Sequence, residues 1–319
     1  MTRGGVPFSK LQIPVLPPKT LDRPRLRARL ADALGKRLTL VAADAGFGKS
    51  TLLASHLAAS GMPAVWYRLD PGDSDPARFA AFLLEGLRAH VPRRALAARR
   101  RSLNLVTDWL AAAQLLSAVL HRVRRDLLIV LDEFHLLATP TLPEGVTRWI
   151  EDLPAGIRLA ILTRIRPDLP LGRWRAQGAL AETGAEELRF TTPELRELLV
   201  GLHGLPLTEA TVHLVAAKTE GWPAGIVLAL HAAVTQGTAV AAQALTALSG
   251  SSREIYEYLA QEAFARQQPD VQRFLLATGL LSRFDAELAD TVLGAVGSQQ
   301  VIGHLERSHL FIVPLDRER

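Results

Sequence analysis

Cysteine is absent from this 319-residue chain. That excludes disulfides, thiol catalysis and cysteine-ligated zinc, and it fits a cytoplasmic protein, where thiols stay reduced. Nor is there a run of about eighteen uncharged apolar residues, so no membrane span is expected. The opening stretch MTRGGVPFSKLQIPVLPPKTLDRPRL has no apolar core of the secretory kind, which excludes a signal peptide. Lysine is scarce, confined to Lys10, Lys19, Lys36, Lys49 and Lys218, so arginine carries nearly all of the basic side.

The formal net charge is +5, and a basic chain raises the question of nucleic acid. The densest stretches are RRALAARRR (93–101) and HRVRR (121–125). Neither has the interleaved aromatics of a base-stacking surface, so both read as solvated helix faces. Hydrophobic residues make up 48% and charged residues 22%, a balance that suits a soluble globular chain with large cores. The length allows about two or three domains.

Residues 1–20 read as an extended leader, because Pro7, Pro14, Pro17 and Pro18 oppose helix. From 21 to 190, short apolar runs alternate with helical patterns. The runs are RLTLVAA (37–43), PAVWYRL (63–69), LLIVLD (127–132) and IRLAILT (157–163). Such runs suit strands buried on both faces of a parallel sheet. Between them, Phe79, Phe82, Leu83 and Leu87 form one helical stripe. The expectation is an α/β domain with a parallel sheet.

Past residue 190 the pattern turns helical. FTTPELRELL carries a helix start: Thr191 as cap, Pro193 in the first turn, and Glu194 completing a capping box. A helical domain is expected over 191–249, with a boundary near Gly250. The tail reads as a helix, SQQVIGHLERS, then a strand, HLFIVPLD, like the last helix and first wing strand of a winged-helix domain spanning 250–319. No second wing strand follows, so the 319 residues are expected to be a fragment of a longer chain.

The chemistry concentrates in LTLVAADAGFGKSTLLASHL (38–57). A strand runs into a glycine-rich turn and a helix, the outline of a phosphate-binding loop. The backbone N–H groups of Ala45, Gly46, Phe47 and Gly48 would point at the phosphates, and the helix N-terminus adds partial positive charge. Lys49 supplies a charge for the β and γ phosphates, Ser50 a hydroxyl for Mg²⁺, and Thr51 a contact one step further in. The motif G-x-x-x-x-G-K-[ST] would begin with glycine where this chain has Ala43, a change of one methyl group at the strand end. About eighty residues later, LLIVLDEFHLL (127–137) ends a strand in two carboxylates. Asp132 would hold Mg²⁺ and Glu133 would orient or deprotonate the attacking water. His135 reads as structural. Arg164, at the exit of the next strand, could sense the γ-phosphate, and one of Arg166, Arg173 and Arg175 could reach a neighbouring subunit.

As a set these segments resemble a known family. KLQIPVLPPKTLDRPRL, AADAGFGKSTLL, WYRLDPGDSDPARF, LLIVLDEFHLL, LTRIRPDLPLGRWRAQG, LRFTTPEL, TEGWPAGIVLAL, VQRFLLATGLL and LERSHLFIVPLD cover the chain almost end to end. Together they resemble the nucleotide-binding oligomerisation module of signal-transduction ATPases with numerous domains. More narrowly, they resemble the N-terminal part of MalT-like, LuxR-type bacterial transcription regulators. In that family alanine or proline commonly takes the first loop position, as Ala43 does here. The resemblance implies that Arg23 reaches the bound nucleotide, that Pro223 of the GWP motif lies against the adenine, and that Arg164 is a sensor arginine. Family members often carry two aspartates where this chain has Asp132–Glu133, which bears on the speed of hydrolysis.

The resemblance also implies a switch, ADP-bound and closed at rest, that exchanges to ATP, opens and self-associates, with slow hydrolysis. A helical-repeat sensor and a C-terminal helix-turn-helix would follow in the full-length protein. The last helix, with Arg307 and two histidines, offers little to DNA phosphates, so DNA contact by this fragment is not expected. Two other readings stay open: an ATP-using enzyme such as a small-molecule kinase or motor-type ATPase, and a winged-helix DNA-binding protein with a vestigial nucleotide fold.

Overall fold

Every strand of the sheet runs the same way. The computed structural model describes residues 8–227, 230, 264–265, 267–281 and 284–308. Its strands are β1 (Leu38–Ala42), β2 (Ala64–Arg68), β3 (Leu127–Asp132), β4 (Ile157–Thr163) and β5 (Leu180–Thr183). They form one five-stranded sheet in the order β2-β3-β4-β1-β5, with all pairs parallel. The four apolar runs of the sequence become the first four strands, and β3 is buried along its whole length. The fifth, LAET, was not anticipated. It lies at the sheet edge with Ala181 and Glu182 only half buried, so it lacks the apolar run that announces a central strand.

Parallel strands need crossovers, and helices supply them. Before β1 comes α1 (Pro24–Ala33). The connections are α2 (Lys49–Ser60) after β1, then α3 (Pro76–Gly86), α4 (Arg93–Arg100) and α5 (Trp109–Leu120) between β2 and β3, α6 (Leu142–Glu151) before β4, and α7 (Leu171–Ala176) before β5. Aspartate side chains start two of these helices. The Asp75 side chain accepts from the Arg78 amide ahead of α3, and Asp108 does the same for Ala111 ahead of α5.

One face of the sheet is sealed by aromatics. Phe79 of α3 lies 5.0 Å from Trp109, 5.5 Å from Tyr67 and 6.1 Å from Trp149, ring centre to ring centre. These rings are buried, and their edge-on and tilted geometries are the favoured ones. Helices α5 and α6 meet at Gly145. A Cβ there would sit 2.4 Å from the Trp109 Cβ and 2.6 Å from its carbonyl carbon, so only glycine allows the approach.

Residues 8–11 are anchored to this framework. Phe8–Leu11 forms a 3-10 turn, from which the Lys10 ammonium reaches Asp73 at 2.6 Å and Asp70 at 2.5 Å. Asp73 is fully buried and also accepts from the Arg78 Nε at 3.1 Å and the Asp70 amide at 2.9 Å. Lys10 further lies 4.8 Å from the centre of the Phe82 ring.

The chain divides into two compact units, residues 1–42 with 49–187, and residues 43–48 with 188–319. In the second, Thr191 and Glu194 form the anticipated capping box at the start of α9 (Thr192–Arg196), which follows α8 (Ala185–Leu188) and runs on as a π-helical turn, Glu197–Leu202. Then come α10 (Glu209–Thr219) and helical residues 223–227. Further on, α11 (Pro269–Thr278), α12 (Ala286–Leu293) and α13 (Ser298–Ser308) share a small core of Val271, Phe274, Ala289 and Leu305. The helix anticipated in SQQVIGHLERS is α13. The expected boundary near Gly250 and the strand HLFIVPLD fall outside the described residues. Among the described residues, no helix is long and apolar enough to cross a membrane.

Two stability outcomes follow from this packing. Gly145→Ala drives a methyl into the Trp109 backbone, and overpacking of this kind costs about 1–3 kcal/mol. Thermal melting followed by circular dichroism should show a clear drop in Tm; an unchanged Tm would mean that α5 and α6 separate freely. Lys10→Met removes the ammonium from buried Asp73 but leaves Arg78 and the Asp70 amide, so the loss is expected at about 2 kcal/mol, the scale of one charged hydrogen bond. The urea midpoint measures it.

Candidate functional site

The parallel register delivers the candidate residues to one edge. Leu131 of β3 pairs with Ile161 of β4, and Ala42 of β1 pairs with Thr163 of β4. Three chains therefore leave the sheet side by side at its C-terminal edge, where ligands of open α/β sheets sit.

At the start of α2, Ser50 meets the tip of β3. Its hydroxyl lies 3.0 and 2.9 Å from the two carboxylate oxygens of Asp132, sharing one proton between them across 82 residues of sequence. Asp132 is 3% exposed, and its Oδ1 also accepts from the Glu133 amide at 3.0 Å. Burial pushes the Asp132 carboxyl above the ordinary range; the Ser50 hydroxyl opposes this, the Glu133 charge adds to it, and the Lys49 ammonium draws it back. A buried carboxylate beside a hydroxyl is a hard oxygen pair that a small divalent cation would stabilise. Two such protein ligands, with the rest left to water and phosphate, suit Mg²⁺. Among the described residues, no cluster of three or more metal-ligating side chains suggests a different ion.

Lys49 opens α2 and is 7% exposed, while Thr51 is exposed on the same helix. Ala43, in the position of the missing glycine, is fully buried. In the loop itself Gly46 and Gly48 have φ of 80° and 76°. Nothing would block a Cβ at Gly48, so backbone conformation alone demands glycine there.

The loop makes its own contacts within the second unit. The Ala224 amide donates to the Gly46 carbonyl at 2.9 Å, and the Arg189 guanidinium lies 5.9 Å from the centre of the Phe47 ring. Ala224 directly follows Pro223, which is buried in the first turn of the helix after the GWP motif. That turn is rigid. Glu220 and Gly221 both have positive φ, at 49° and 70°. A Cβ on Gly221 would meet the Phe190 carbonyl at 2.4 Å, and the Phe190 amide donates to the Gly221 carbonyl at 2.8 Å. The contact between loop and turn had no signal in the sequence.

A second group gathers between the tips of β3 and β4. Glu133 adopts the left-handed conformation, φ 61° and ψ 37°. Its Oε2 lies 3.5 Å from the Arg164 Nε and 3.5 Å from the His135 Nε2. The Arg164 amide in turn donates to the His135 Nδ1 at 3.4 Å. Thr163 shapes the exit of β4 by donating its hydroxyl to the Ile165 carbonyl at 2.7 Å. His135 thus joins the acid and the arginine, where the sequence had marked it only as structural.

The remaining arginines of that exit have local partners. Arg166 and Arg175 both pair with Glu182, Arg166 at 2.8 Å, and Arg173 pairs with Glu151. Arg23 is half buried just ahead of α1, where its carbonyl accepts from the Arg27 amide at 2.9 Å.

The fold has known relatives. The MalT winged helix domain family matches residues 260–319, the region that contains α11, α12 and α13. The HTH-type transcriptional regulator MalT of Cronobacter sakazakii is 30% identical over 313 residues, 97% of this chain and 34% of that protein. The chain therefore spans about a third of the length of this curated relative. A Walker-type ATPase of Pyrococcus abyssi superposes with a TM-score of 0.60 at 14% identity, covering 93% of each chain, which establishes the fold. The chain is a homologue of the MalT-like transcription regulators, with a P-loop ATPase fold followed by a MalT winged-helix domain.

Proposed function

We propose that the chain is the nucleotide-operated switch of a signal-responsive transcription regulator. It binds ATP or ADP with Mg²⁺, rests closed on ADP, and self-associates when ATP replaces it. The observation that carries this is the Ser50–Asp132 pair. It joins the first helical turn after the loop to a buried acid at the tip of β3. Homology to MalT along nearly the whole chain supports the regulatory role, and the P-loop ATPase fold supports the nucleotide.

In this proposal the N–H groups of Ala45, Gly46, Phe47 and Gly48 surround the phosphates, and Lys49 neutralises the β and γ oxygens. Thr51 contacts the nucleotide one step further along. Ser50 and Asp132 hold Mg²⁺, which supplies charge to the transferring phosphoryl group when bound. Glu133 takes a proton from the attacking water, and Arg164 senses the γ-phosphate. Arg23 and Pro223 complete the nucleotide's surroundings. The Ala224 contact to the Gly46 carbonyl supports the placement of Pro223, since it ties the GWP turn to the loop. The functional division is 21–190 for nucleotide, 191–249 for the helical domain and 250–319 for the winged helix, with sensor and helix-turn-helix domains following in the longer protein.

The test begins with the nucleotide released when the purified chain is denatured. Bound ADP in the wild type and none in Lys49→Ala, with equal helix content, is the expected result. A folded wild type that holds no nucleotide and takes up neither ATP nor ADP would overturn the proposal. A second outcome concerns hydrolysis. Glu133→Gln should keep nucleotide affinity but lose roughly 10²-fold or more in turnover, the scale of a general base. Light scattering after size exclusion in ATP should then find a larger assembly than in ADP. Identical masses in the two nucleotides would remove self-association from the proposal.

A further inference from the structure

The contacts around Glu133 are unequal in kind. The Arg164 Nε reaches the Glu133 carboxylate through a long side chain with several rotatable bonds. His135 reaches the same oxygen from a short turn, Phe134–Leu136, closed by the Leu136 amide donating to the Glu133 carbonyl at 3.0 Å. The imidazole is held at its far side by the backbone amide of Arg164, which no rotation of the arginine side chain disturbs.

That anchor also fixes the proton. A backbone N–H can only donate, so the His135 Nδ1 facing it must present its lone pair. In the neutral ring the proton then sits on Nε2, the nitrogen 3.5 Å from the Glu133 Oε2. The three side chains are only 12–20% exposed, so water competes weakly for these contacts. The left-handed backbone of Glu133 costs a non-glycine residue free energy, so its surroundings hold it in place.

We infer that His135 is the positioning residue of Glu133, which it keeps oriented for proton transfer after the Arg164 guanidinium turns to the phosphate. This rests on the proposed hydrolytic role of Glu133. Two groups hold the carboxylate before the arginine moves, and the backbone-anchored one remains afterwards. The His135 ring itself does not touch the water or the nucleotide; it acts through Glu133.

Single-turnover ATP hydrolysis by the full chain, together with the affinity for fluorescent ADP, tests this. His135→Ala should slow hydrolysis about tenfold while ADP affinity stays within about twofold. His135→Gln, whose amide N–H can reach Glu133, should recover to within about threefold of wild type. His135→Asn keeps an acceptor for the Arg164 amide but is too short to donate to Glu133, so it should remain slow even where the alanine variant fails to fold. In a Glu133→Gln background, His135→Ala should cost nothing further, since the histidine works through that carboxylate. Multiplicative losses in the double variant, or equal rates for the glutamine and asparagine variants, would overturn the inference while leaving the hydrolysis proposal intact. A wild type that binds ATP and never turns it over would overturn both.

Discussion

A parallel sheet covered on both faces leaves polar groups few places to go. Ile129 and Leu131 of β3 and Leu159 and Ile161 of β4 are fully buried. Any charge within these strands would be desolvated without a partner. The acids, the hydroxyls and the arginine therefore collect where the strands end, at one edge, because the strands are parallel and their ends coincide. The order β2-β3-β4-β1-β5 sets one strand, β4, between the loop strand and the acid strand. Ser50 spans that gap to Asp132, and Arg164 stands at the end of the strand between them.

In the proposed switch, the electrostatics of this edge suit a cation. Asp132 is buried far enough that desolvation opposes its charge, and its immediate support is the Ser50 hydroxyl and the Glu133 amide, with the Lys49 ammonium in its field. In the proposed switch, a buried carboxylate held by such donors would gain from a divalent ion that shares its oxygens. Glu133, one residue on, is supported differently, by a guanidinium and an imidazole. Adjacent acids with different partners can carry different tasks, one holding charge and the other moving a proton.

The loop belongs structurally with the helical unit, although it is covalently part of the strand-to-helix turn. The Gly46 carbonyl is held by the amide that follows Pro223, and the Phe47 ring lies under Arg189, which also donates to the Glu220 carbonyl at 2.6 Å. In the proposed switch this gives the GWP turn a direct grip on the phosphate loop, so that a change in the one is felt by the other without a long relay.

Much of this was legible in the sequence. Four strands were readable because buried parallel strands are continuous apolar runs, and the capping box at Thr191 was readable because its chemistry is local. The sequence singled out the loop at 43–51, Asp132 and Glu133 as candidates because each is a particular residue type at a particular spacing, and Ser50 and Asp132 do meet. The edge strand β5 was not, since half of it faces solvent and its alternation is only four residues long. The Lys10–Asp73 staple, the Gly46–Ala224 bond and the joining of Glu133, His135 and Arg164 were not readable either. They link residues 63, 178 and 29 positions apart, and strand order, register and packing decide which of them meet. The sequence by itself determined which elements form and which side chains carry charge at their ends. Tertiary structure alone decided which of those charges share a partner, because pairing depends on distances that local chain chemistry does not set.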